Sequence, residues 1–359
     1  MADLTQLATD PTLDAVNQQL IEASQQKQPK APAIPISMLG EPCERKLYFH
    51  FRMALSETMT AQQLRRFEDG YRAEDVEASR LSRVQGITLR TIDTTTGYSY
   101  QVEAIEGHLQ GRLDGRITGL LQAPSTEHVW ECKCVNEKKQ QQLIELKQKH
   151  GEKNALKEWS PLYYIQAILY MHLTGLTRHY LTCTTPGSLW TISVITNADQ
   201  EAAQLALEKA GRIKNAQQKP AAISDNPDYF ACKSCTYHSL CHQQKVAQVN
   251  CRTCCHSTPV SNGEWHCAYY NSIVPKAFQV KGCENHLFLP DLIPFAKTID
   301  ASQQENWIEY QTANGQTFKN GAQKPAYSSQ ELHSLADPNI IGNQDIEQLR
   351  QNFNARVAA

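Results

Sequence analysis

The 359-residue sequence has no long apolar segment and no large excess of charge of either sign. No run approaches the roughly 18 consecutive apolar residues that a transmembrane helix needs, and the opening stretch MADLTQLATD lacks the basic and apolar regions of a signal peptide. The formal net charge is −2, so any affinity for a polyanion must come from local patches. We therefore expect a cytoplasmic protein without membrane contacts.

Two other features are missing. The sequence contains no G-x-x-x-x-G-K-[S/T] motif, so a built-in nucleotide-driven motor is not expected. It also contains no internal repeat and no heptad array. At roughly 100–200 residues per domain, the length predicts two or three units.

Cysteine is abundant, with twelve residues, nine of which fall into two groups when Cys255, next to Cys254, is counted with the second. In a cytoplasmic chain of this length, clustered cysteines bind metal more often than they form disulfides. The first group has three closely spaced thiols, which need a fourth ligand, and an upstream cysteine can supply it. Its members are Cys43, Cys232, Cys235 and Cys241. Four thiolates suit either zinc or an iron–sulfur cluster.

The second group has two cysteine pairs separated by a loop, which predicts a structural zinc ribbon. Its predicted ligands are Cys251, Cys254, Cys267 and Cys283. His286 is an alternative to Cys283 as the fourth ligand. The competing interpretation is a small module whose cysteines are simply buried.

Two carboxylates and a lysine stand at a spacing suited to phosphodiester hydrolysis. The segment GRLDGRI is followed, after ten residues, by HVWECKCV. In a strand, Glu131 and Lys133 share one face while Cys132 takes the other. Asp114 and Glu131 can ligate a divalent cation, with the Cys132 carbonyl as a third ligand, and Lys133 can orient the attacking water.

Other elements support this interpretation. Glu74, in GYRAE, lies on a helix predicted over residues 68–81. Gln166 and Tyr170 share one face of a later helix, which Ser160 and Pro161 are predicted to open. Residues 133–157 hold seven lysines against three glutamates, so this stretch can contact phosphates. Taken singly, each motif is common on protein surfaces, and tyrosines such as Tyr163 are more often core residues than base-stacking ones.

In order, the motifs G-x-x-x-E, G-x-x-D-G, E-x-K and Q-x-x-x-Y resemble those of the PD-(D/E)XK nucleases of the RecB type, over about residues 37–245. The resemblance implies the metal ligands Glu74, Asp114 and Glu131, the catalytic Lys133, and Gln166 and Tyr170 near the substrate strand. Two departures are Leu113 in place of the nominal proline and glutamate rather than histidine at position 74.

The resemblance also implies an α/β fold, with a restriction-endonuclease-like core of a central mixed sheet flanked by helices and a small C-terminal zinc-ribbon-like module. One cysteine before the motifs and three after them are similar to the iron–sulfur exonucleases associated with CRISPR adaptation and to AddB-type nuclease domains, which favours a [4Fe–4S] cluster over zinc. The predicted divisions are an arm and linker (1–36), the nuclease domain (37–245), a zinc-binding module (246–300), and a hairpin and tail (301–359).

The leading hypothesis is a Mg²⁺- or Mn²⁺-dependent deoxyribonuclease, an exonuclease of recombination, repair or replication in a bacterium or its phage. A structure-specific endonuclease is the enzymatic alternative, since one metal site serves many cleavage geometries. A non-catalytic DNA-binding scaffold held by metal clusters is the other. The expected partners are DNA and a helicase, single-strand annealing protein or recombinase, and an oligomer is possible.

Overall fold

A computed structural model describes residues 10–26, 33–56, 59–335, 337–353 and 355–356. Contacts group the chain into two units. The first, here called the sheet unit, comprises residues 1–30, 57–102 and 110–206, and the second, the cysteine unit, comprises residues 31–56, 103–109 and 207–359. Parts of the predicted arm and linker, residues 1–9 and 27–32, lie outside the described residues. The predicted domain boundaries differ from these units and stay a prediction.

The helices are α1 (Pro11–Gln26), α2 (Glu44–Phe51), α3 (Ala61–Ser82), α4 (Glu137–His150), α5 (Glu152–Trp159), α6 (Pro161–Thr174), α7 (Gln200–Asn215), α8 (Phe230–Lys233), α9 (His238–His242), α10 (Lys276–Gln279), α11 (Ser329–Ser334) and α12 (Gln344–Asn352). In the described part of the chain, none of them is long and apolar enough to cross a membrane.

The strands are β1 (Ile34–Pro35), β2 (Thr88–Arg90), β3 (Gln101–Ala104), β4 (Leu109–Arg112), β5 (Gly115–Thr118), β6 (His128–Cys134), β7 (Arg178–Thr184), β8 (Thr191–Asn197), β9 (Ser257–Pro259), β10 (Trp265–Cys267), β11 (Ser272–Ile273), β12 (Ala296–Ser302), β13 (Trp307–Thr312) and β14 (Thr317–Gly321).

A five-stranded mixed sheet forms the centre of the sheet unit, in the order β2-β5-β6-β7-β8. Strands β6 and β7 are parallel, and the other neighbouring pairs are antiparallel. The predicted α/β class, with a central mixed sheet and flanking helices, is therefore confirmed. Strands β7 and β8 are consecutive in sequence and pair as an antiparallel hairpin.

The two faces of β6 have different surroundings, as the alternation of its side chains requires. Trp130 and Cys132 belong to a buried cluster against which Ala78 and Leu81 of α3 pack. On the opposite face, Glu131 contacts α6. The sheet is thus covered by helices on both sides, and the polar residues of β6 face α6.

Capping residues in the sequence set the helix ends in this unit. Thr60 and Gln63 form a capping box that starts α3, earlier than the expected start at Glu68. Ser160 caps α6, with Pro161 in its first turn. Most of the basic stretch 133–157 forms α4 and α5, separated at Gly151 with φ of 77°.

The cysteine unit contains two small antiparallel sheets. Strands β9, β10 and β11 form one between the second-group cysteines, and β12, β13 and β14 form the other. The second includes the predicted hairpin in WIEYQTANGQTFKNG, which is confirmed. Fully buried Trp265 and Phe288 contribute to the core of this unit.

Candidate active site

Asp114 lies in the turn between β4 and β5, next to β6. Its Oδ2 accepts a hydrogen bond from the Cys132 backbone N–H at 2.9 Å. The next residue, Gly115, lets β5 lie close to β2 and β6. A Cβ at this position would lie 2.9 Å from the Arg90 carbonyl oxygen and 3.2 Å from the Trp130 ring. The motif G-x-x-D-G therefore fixes a carboxylate against the strand that carries Glu131.

Glu131 and Lys133 lie together on one face of β6, as the alternation predicts. The Glu131 side chain is buried, and its Oε1 accepts hydrogen bonds from the Lys133 ammonium and from Gln166 Nε2, the latter at 2.8 Å. Its other oxygen, Oε2, is buried and has no hydrogen-bond partner among the described residues. A buried carboxylate oxygen without a partner is costly unless a cation or a proton occupies it.

Gln166 and Tyr170 connect this carboxylate to the turn that carries Asp114. Tyr170, buried on α6, donates from its hydroxyl to the Arg112 carbonyl oxygen at 2.9 Å, and Gln166 Nε2 lies 3.4 Å from the same hydroxyl. Tyr170 thus positions the backbone two residues before Asp114. Gln166 Oε1 is buried without a partner among the described residues.

Glu74 approaches the site from α3. Its half-buried carboxyl has a pKa raised to about 7, first by burial and second by the Asp114 carboxylate. Burial, and then the charge of Asp114, also raise the pKa of Glu131, and burial raises that of Asp114. Three carboxyls that resist ionisation together form a site that gains from a divalent cation.

Lys133 forms an ion pair with Glu131, and the Asp114 carboxylate is close enough to act on its charge. Burial lowers its pKa, but the Glu131 and Asp114 carboxylates outweigh burial, so the net pKa lies above its ordinary value. The lysine therefore stays charged at neutral pH and can donate hydrogen bonds to a phosphate oxygen or a water. Cys132, in contrast, has a thiol whose pKa burial raises, so only its carbonyl remains a predicted ligand.

Two aromatic residues, one beside both Lys133 and Lys139 and the other beside Lys139, were not identified as site residues from the sequence. The Lys133 ammonium lies 5.2 Å from the centre of the Tyr163 ring, and Lys139 lies 5.2 Å from the same ring and 5.4 Å from Trp159. In the sequence, only the lysine-rich stretch 133–157 pointed to this region. It did not indicate which of the other lysines lies at the Tyr163 ring with Lys133.

The first cysteine group lies around one cavity of the cysteine unit. Cys43, Cys232, Cys235 and Cys241 all line it, together with Lys46. Burial raises the pKa of the Cys235 and Cys241 thiols, while the Arg45 guanidinium acts against this at Cys241. The structure thus brings the four predicted ligands to one place, although Cys43 is distant from the others in sequence.

The second cysteine group lines another cavity in the same unit, together with His286; its members are Cys251, Cys254, Cys267 and Cys283. Burial, and then the other three thiols, raise the pKa of Cys251. His286 Nε2 lies 3.0 Å from the Asn250 carbonyl oxygen, and its Nδ1 is buried without a hydrogen-bond partner among the described residues. Both candidates for the fourth ligand therefore remain.

Within the described part of the chain, no group of three or more His, Cys, Asp or Glu side chains is already arranged to hold a metal ion. At the carboxylates, the Lys133 ammonium contacts Glu131. At the second cysteine group, the Cys251 thiol points at the Phe278 and Lys281 carbonyl oxygens, 3.5 and 3.3 Å away. Binding at either place requires these side chains to turn.

No family model and no curated protein matches the sequence. Among solved structures, the alkaline exonuclease LHK-Exo of Laribacter hongkongensis is 13% identical, with 55% of this chain and 90% of that chain covered at a TM-score of 0.36. A phage-related exonuclease of Haemophilus somnus 129PT is 12% identical, with 47% and 78% covered at 0.33. The protein SSO0001 is 15% identical, with 64% and 96% covered at 0.35. All three TM-scores are low, and the function proposed below rests on the residues of this chain.

Proposed function

We propose that this chain is a deoxyribonuclease that hydrolyses phosphodiester bonds with Mg²⁺ or Mn²⁺, and that it acts as an exonuclease. The observation that carries the proposal is the buried Glu131 Oε2, unpartnered among the described residues, beside the Asp114 and Glu74 carboxyls. This donor set consists of oxygen atoms, which are the ligands that Mg²⁺ and Mn²⁺ prefer. The resemblance of the motifs to PD-(D/E)XK nucleases supports the same reaction.

The residues divide the work as follows. Asp114, Glu131 and Glu74 supply carboxylate oxygens for the cation, and the Cys132 carbonyl is the proposed fourth donor. These residues would hold a divalent cation, which when bound would supply Lewis-acid chemistry at the scissile phosphate and the attacking water. Lys133 donates hydrogen bonds toward the charge that develops on the phosphate, since its ammonium stays protonated. Gln166 holds Glu131 in place.

End-labelled linear and circular DNA, incubated with Mg²⁺, Mn²⁺ or a chelator, tests this proposal. We expect cation-dependent loss of linear DNA only, and no loss with Lys133→Gln. The control is Asp69→Asn, because Asp69 is exposed on α3 and pairs with Arg72 on the same helix. Cleavage of circles by the wild-type protein would instead favour a structure-specific endonuclease.

A non-catalytic scaffold is the other competing function, and DNA binding separates it from a nuclease. A scaffold binds DNA but does not cleave it with any cation. Lys133→Gln would then alter DNA binding only by the loss of one positive charge. A folded wild-type protein that binds DNA but leaves every substrate intact, with the control variant behaving identically, overturns the nuclease proposal.

For the first cysteine group we propose a [4Fe–4S] cluster held by Cys43, Cys232, Cys235 and Cys241. Support comes from their position around one cavity and from Arg45 and Lys46, which offset the negative charge of thiolates. Zinc is the alternative, since four thiolates bind either. When bound, the group fastens Cys43 to the segment 232–241 and contributes stability rather than chemistry.

Anaerobic purification with iron, sulfide and zinc analysis decides between the two. We expect visible absorbance of a cluster and stoichiometric iron and sulfide, both lost in Cys235→Ser. The control is Cys134→Ser, which lies on β6 outside both groups. Zinc without sulfide at this site would assign zinc instead.

For the second group we propose a structural zinc ion bound by Cys251, Cys254, Cys267 and Cys283, with His286 as the alternative fourth ligand. His286 suits the role because its Nε2 is placed at the Asn250 carbonyl and its Nδ1 remains buried without a partner among the described residues. Zinc content after Cys283→Ser and after His286→Gln identifies the ligand, because only loss of the true ligand lowers it.

We propose work on DNA ends in recombination, repair or replication, in a bacterial cytoplasm or in the host of a phage. Because the sequence has no motor motif, a partner helicase supplies unwinding, or a single-strand annealing protein or recombinase takes over the product. Size measurement in solution tests for an oligomer.

A further inference from the structure

One ring, that of Tyr163, lies beside two ammonium groups in the sheet unit. Lys133 Nζ and Lys139 Nζ are each 5.2 Å from its centre. The distance between the two ammonium nitrogens is therefore at most twice this value. The Lys133 ammonium also contacts Glu131. Lys139 thus shares the Tyr163 ring with the lysine that contacts Glu131.

The backbone of Lys139 is held by side chains on both sides. Its backbone N–H donates to the Asn136 side chain, which caps α4, at 2.8 Å. Its carbonyl oxygen accepts from the indole N–H of buried Trp159 at 2.8 Å. Trp159 in turn packs on Tyr163 with ring centres 5.5 Å apart, so the beginning of α4 is joined to the beginning of α6.

The two lysines differ in the charges around them. Lys133 is neutralised by Glu131 and Asp114, whereas Lys139 forms no ion pair with a carboxylate among the described residues. Its ammonium, half-buried, rests on the Trp159 and Tyr163 rings, which attract a cation without neutralising it. A cation held in this way retains its charge for an anion from outside the protein.

We propose, on the basis of the function proposed above, that Lys139 binds a phosphate next to the scissile one on the cleaved DNA strand. Tyr163 is the positioning residue that keeps Lys139 and Lys133 at one ring. The ligand of this subsite is a backbone phosphate, so the contact carries no sequence preference. The competing role is purely structural, in which the Lys139–Trp159–Tyr163 cluster only joins helices.

Substrate chemistry separates these roles. Short oligonucleotides carry one uncharged methylphosphonate, placed in turn at each phosphate flanking the cleaved bond, and kcat and KM are measured for each. We expect one position to raise the wild-type KM about tenfold, the effect of losing one hydrogen bond between charged groups. With unmodified DNA, Lys139→Gln should already show this higher KM. The methylphosphonate at that position should not raise the KM of the variant further, because the contact is already lost.

A control lysine with similar surroundings lies nearby. Lys157 Nζ is 5.3 Å from the Tyr164 ring. The Tyr164 hydroxyl donates to Asp199 at 2.7 Å. Lys157 lowers the pKa of Asp199, so this lysine, unlike Lys139, has a carboxylate close to it. Lys157→Gln should therefore keep the methylphosphonate sensitivity of the wild-type protein. In binding assays without cleavage, Lys139→Gln should reduce the slope of log K against log salt by about 0.7, as for one contact to a single strand.

Tyr163 is tested by conservative and non-conservative variants. Tyr163→Phe keeps the ring and should retain the wild-type KM, whereas Tyr163→Leu should raise KM and lose the methylphosphonate effect at the same position. If Lys139→Gln instead keeps full methylphosphonate sensitivity while the wild-type protein cleaves DNA normally, the subsite is wrong and the nuclease stands. If the wild-type protein cleaves nothing, the proposed function fails, and the salt slope still shows whether Lys139 binds a phosphate.

Discussion

The Cys132 backbone N–H donates to Asp114 Oδ2 at 2.9 Å, which ties the turn before β5 to the strand that carries Glu131. One oxygen of the Asp114 carboxylate is used in this bond, and the other accepts no hydrogen bond from the described residues. A single side chain therefore both holds the geometry of the site and offers an oxygen to a cation. The two roles can be separated by substitution.

Asp114→Asn should abolish cleavage while leaving the fold intact. The amide oxygen still accepts from the Cys132 N–H, but the charge that binds the cation is lost, so we expect the rate to fall at least about 100-fold, the scale of losing electrostatic stabilisation at a reacting phosphate. Thermal unfolding and the cleavage rate at saturating Mn²⁺ check this. If Asp114→Asn does not fold, Asp114→Glu is the decisive substitution, because it keeps the negative charge but displaces it.

The stability of the metal-free protein should depend on pH through Glu74. Its pKa in the folded protein is raised to about 7 by burial and by Asp114, above its ordinary value, so the folded state binds more protons than the unfolded state between about pH 4.5 and 7. Stability in this window therefore falls as pH rises. Relative to Glu74→Gln, we expect the wild-type protein to lose roughly 1 kcal/mol, allowing for solvent screening.

The comparison with Glu74→Gln is needed because buried histidines act in the opposite direction. Burial lowers the pKa of His179 and His286, so their contribution to stability is lost as pH falls. Denaturant unfolding of both proteins at pH 5 and pH 8, with and without Mn²⁺, isolates the glutamate. The same pH dependence in both proteins would contradict the prediction, and Mn²⁺ should remove the difference.

Tyr170→Phe should cost about 1 kcal/mol of unfolding free energy, because it removes a buried hydrogen bond to the Arg112 carbonyl oxygen. We also expect a several-fold lower kcat with unchanged KM, since the turn before Asp114 loosens while no substrate contact is lost. Tyr310→Phe is the matched control. The Tyr310 hydroxyl is buried without a hydrogen-bond partner among the described residues, so its removal should cost nothing.

Two glycines in the sheet unit should respond oppositely to alanine. Gly115→Ala places a methyl group 2.9 Å from the Arg90 carbonyl oxygen and should destabilise the protein by about 1–3 kcal/mol. Gly70 lies inside α3, and no atom lies within 4 Å of the position that an alanine Cβ would take there, so Gly70→Ala should stabilise the protein by up to about 1 kcal/mol. Chemical denaturation of both variants is the measurement. Equal effects of the two substitutions would show that the packing at Gly115 is looser than these distances imply.

Local patterns in the sequence were sufficient for much of the fold. Alternation in HVWECKCV placed Glu131 and Lys133 on one face of β6, and Ser160 with Pro161 marked the start of α6. The start of α3 was missed although Thr60 and Gln63 form a recognisable capping box. These are interactions between residues close in sequence, which is why a single sequence carries them.

What the sequence did not indicate depends on residues that are distant along the chain. Of the seven lysines in 133–157, only the packing of Trp159 on Tyr163 identifies Lys139 as the neighbour of Lys133. The unpartnered oxygen of Glu131 is likewise a property of the folded interior. The boundary between the two units at residues 206 and 207 lies inside α7. The amino-acid composition does not mark this boundary, because the helix continues through it.

The parallel pairing of β6 with β7 requires a crossover connection, and in this chain residues 135–177 form it. Lys139 and Tyr163, the residues of the proposed phosphate subsite, lie in that segment. So do Gln166 and Tyr170, which hold Glu131 and the turn before Asp114. The carboxylates and Lys133 lie outside it, on α3, before β5 and on β6. The proposed phosphate contact and the proposed cation ligands therefore come from separate stretches of the gene. Exchange of this single continuous segment would replace the first while the carboxylates and Lys133 are inherited unchanged.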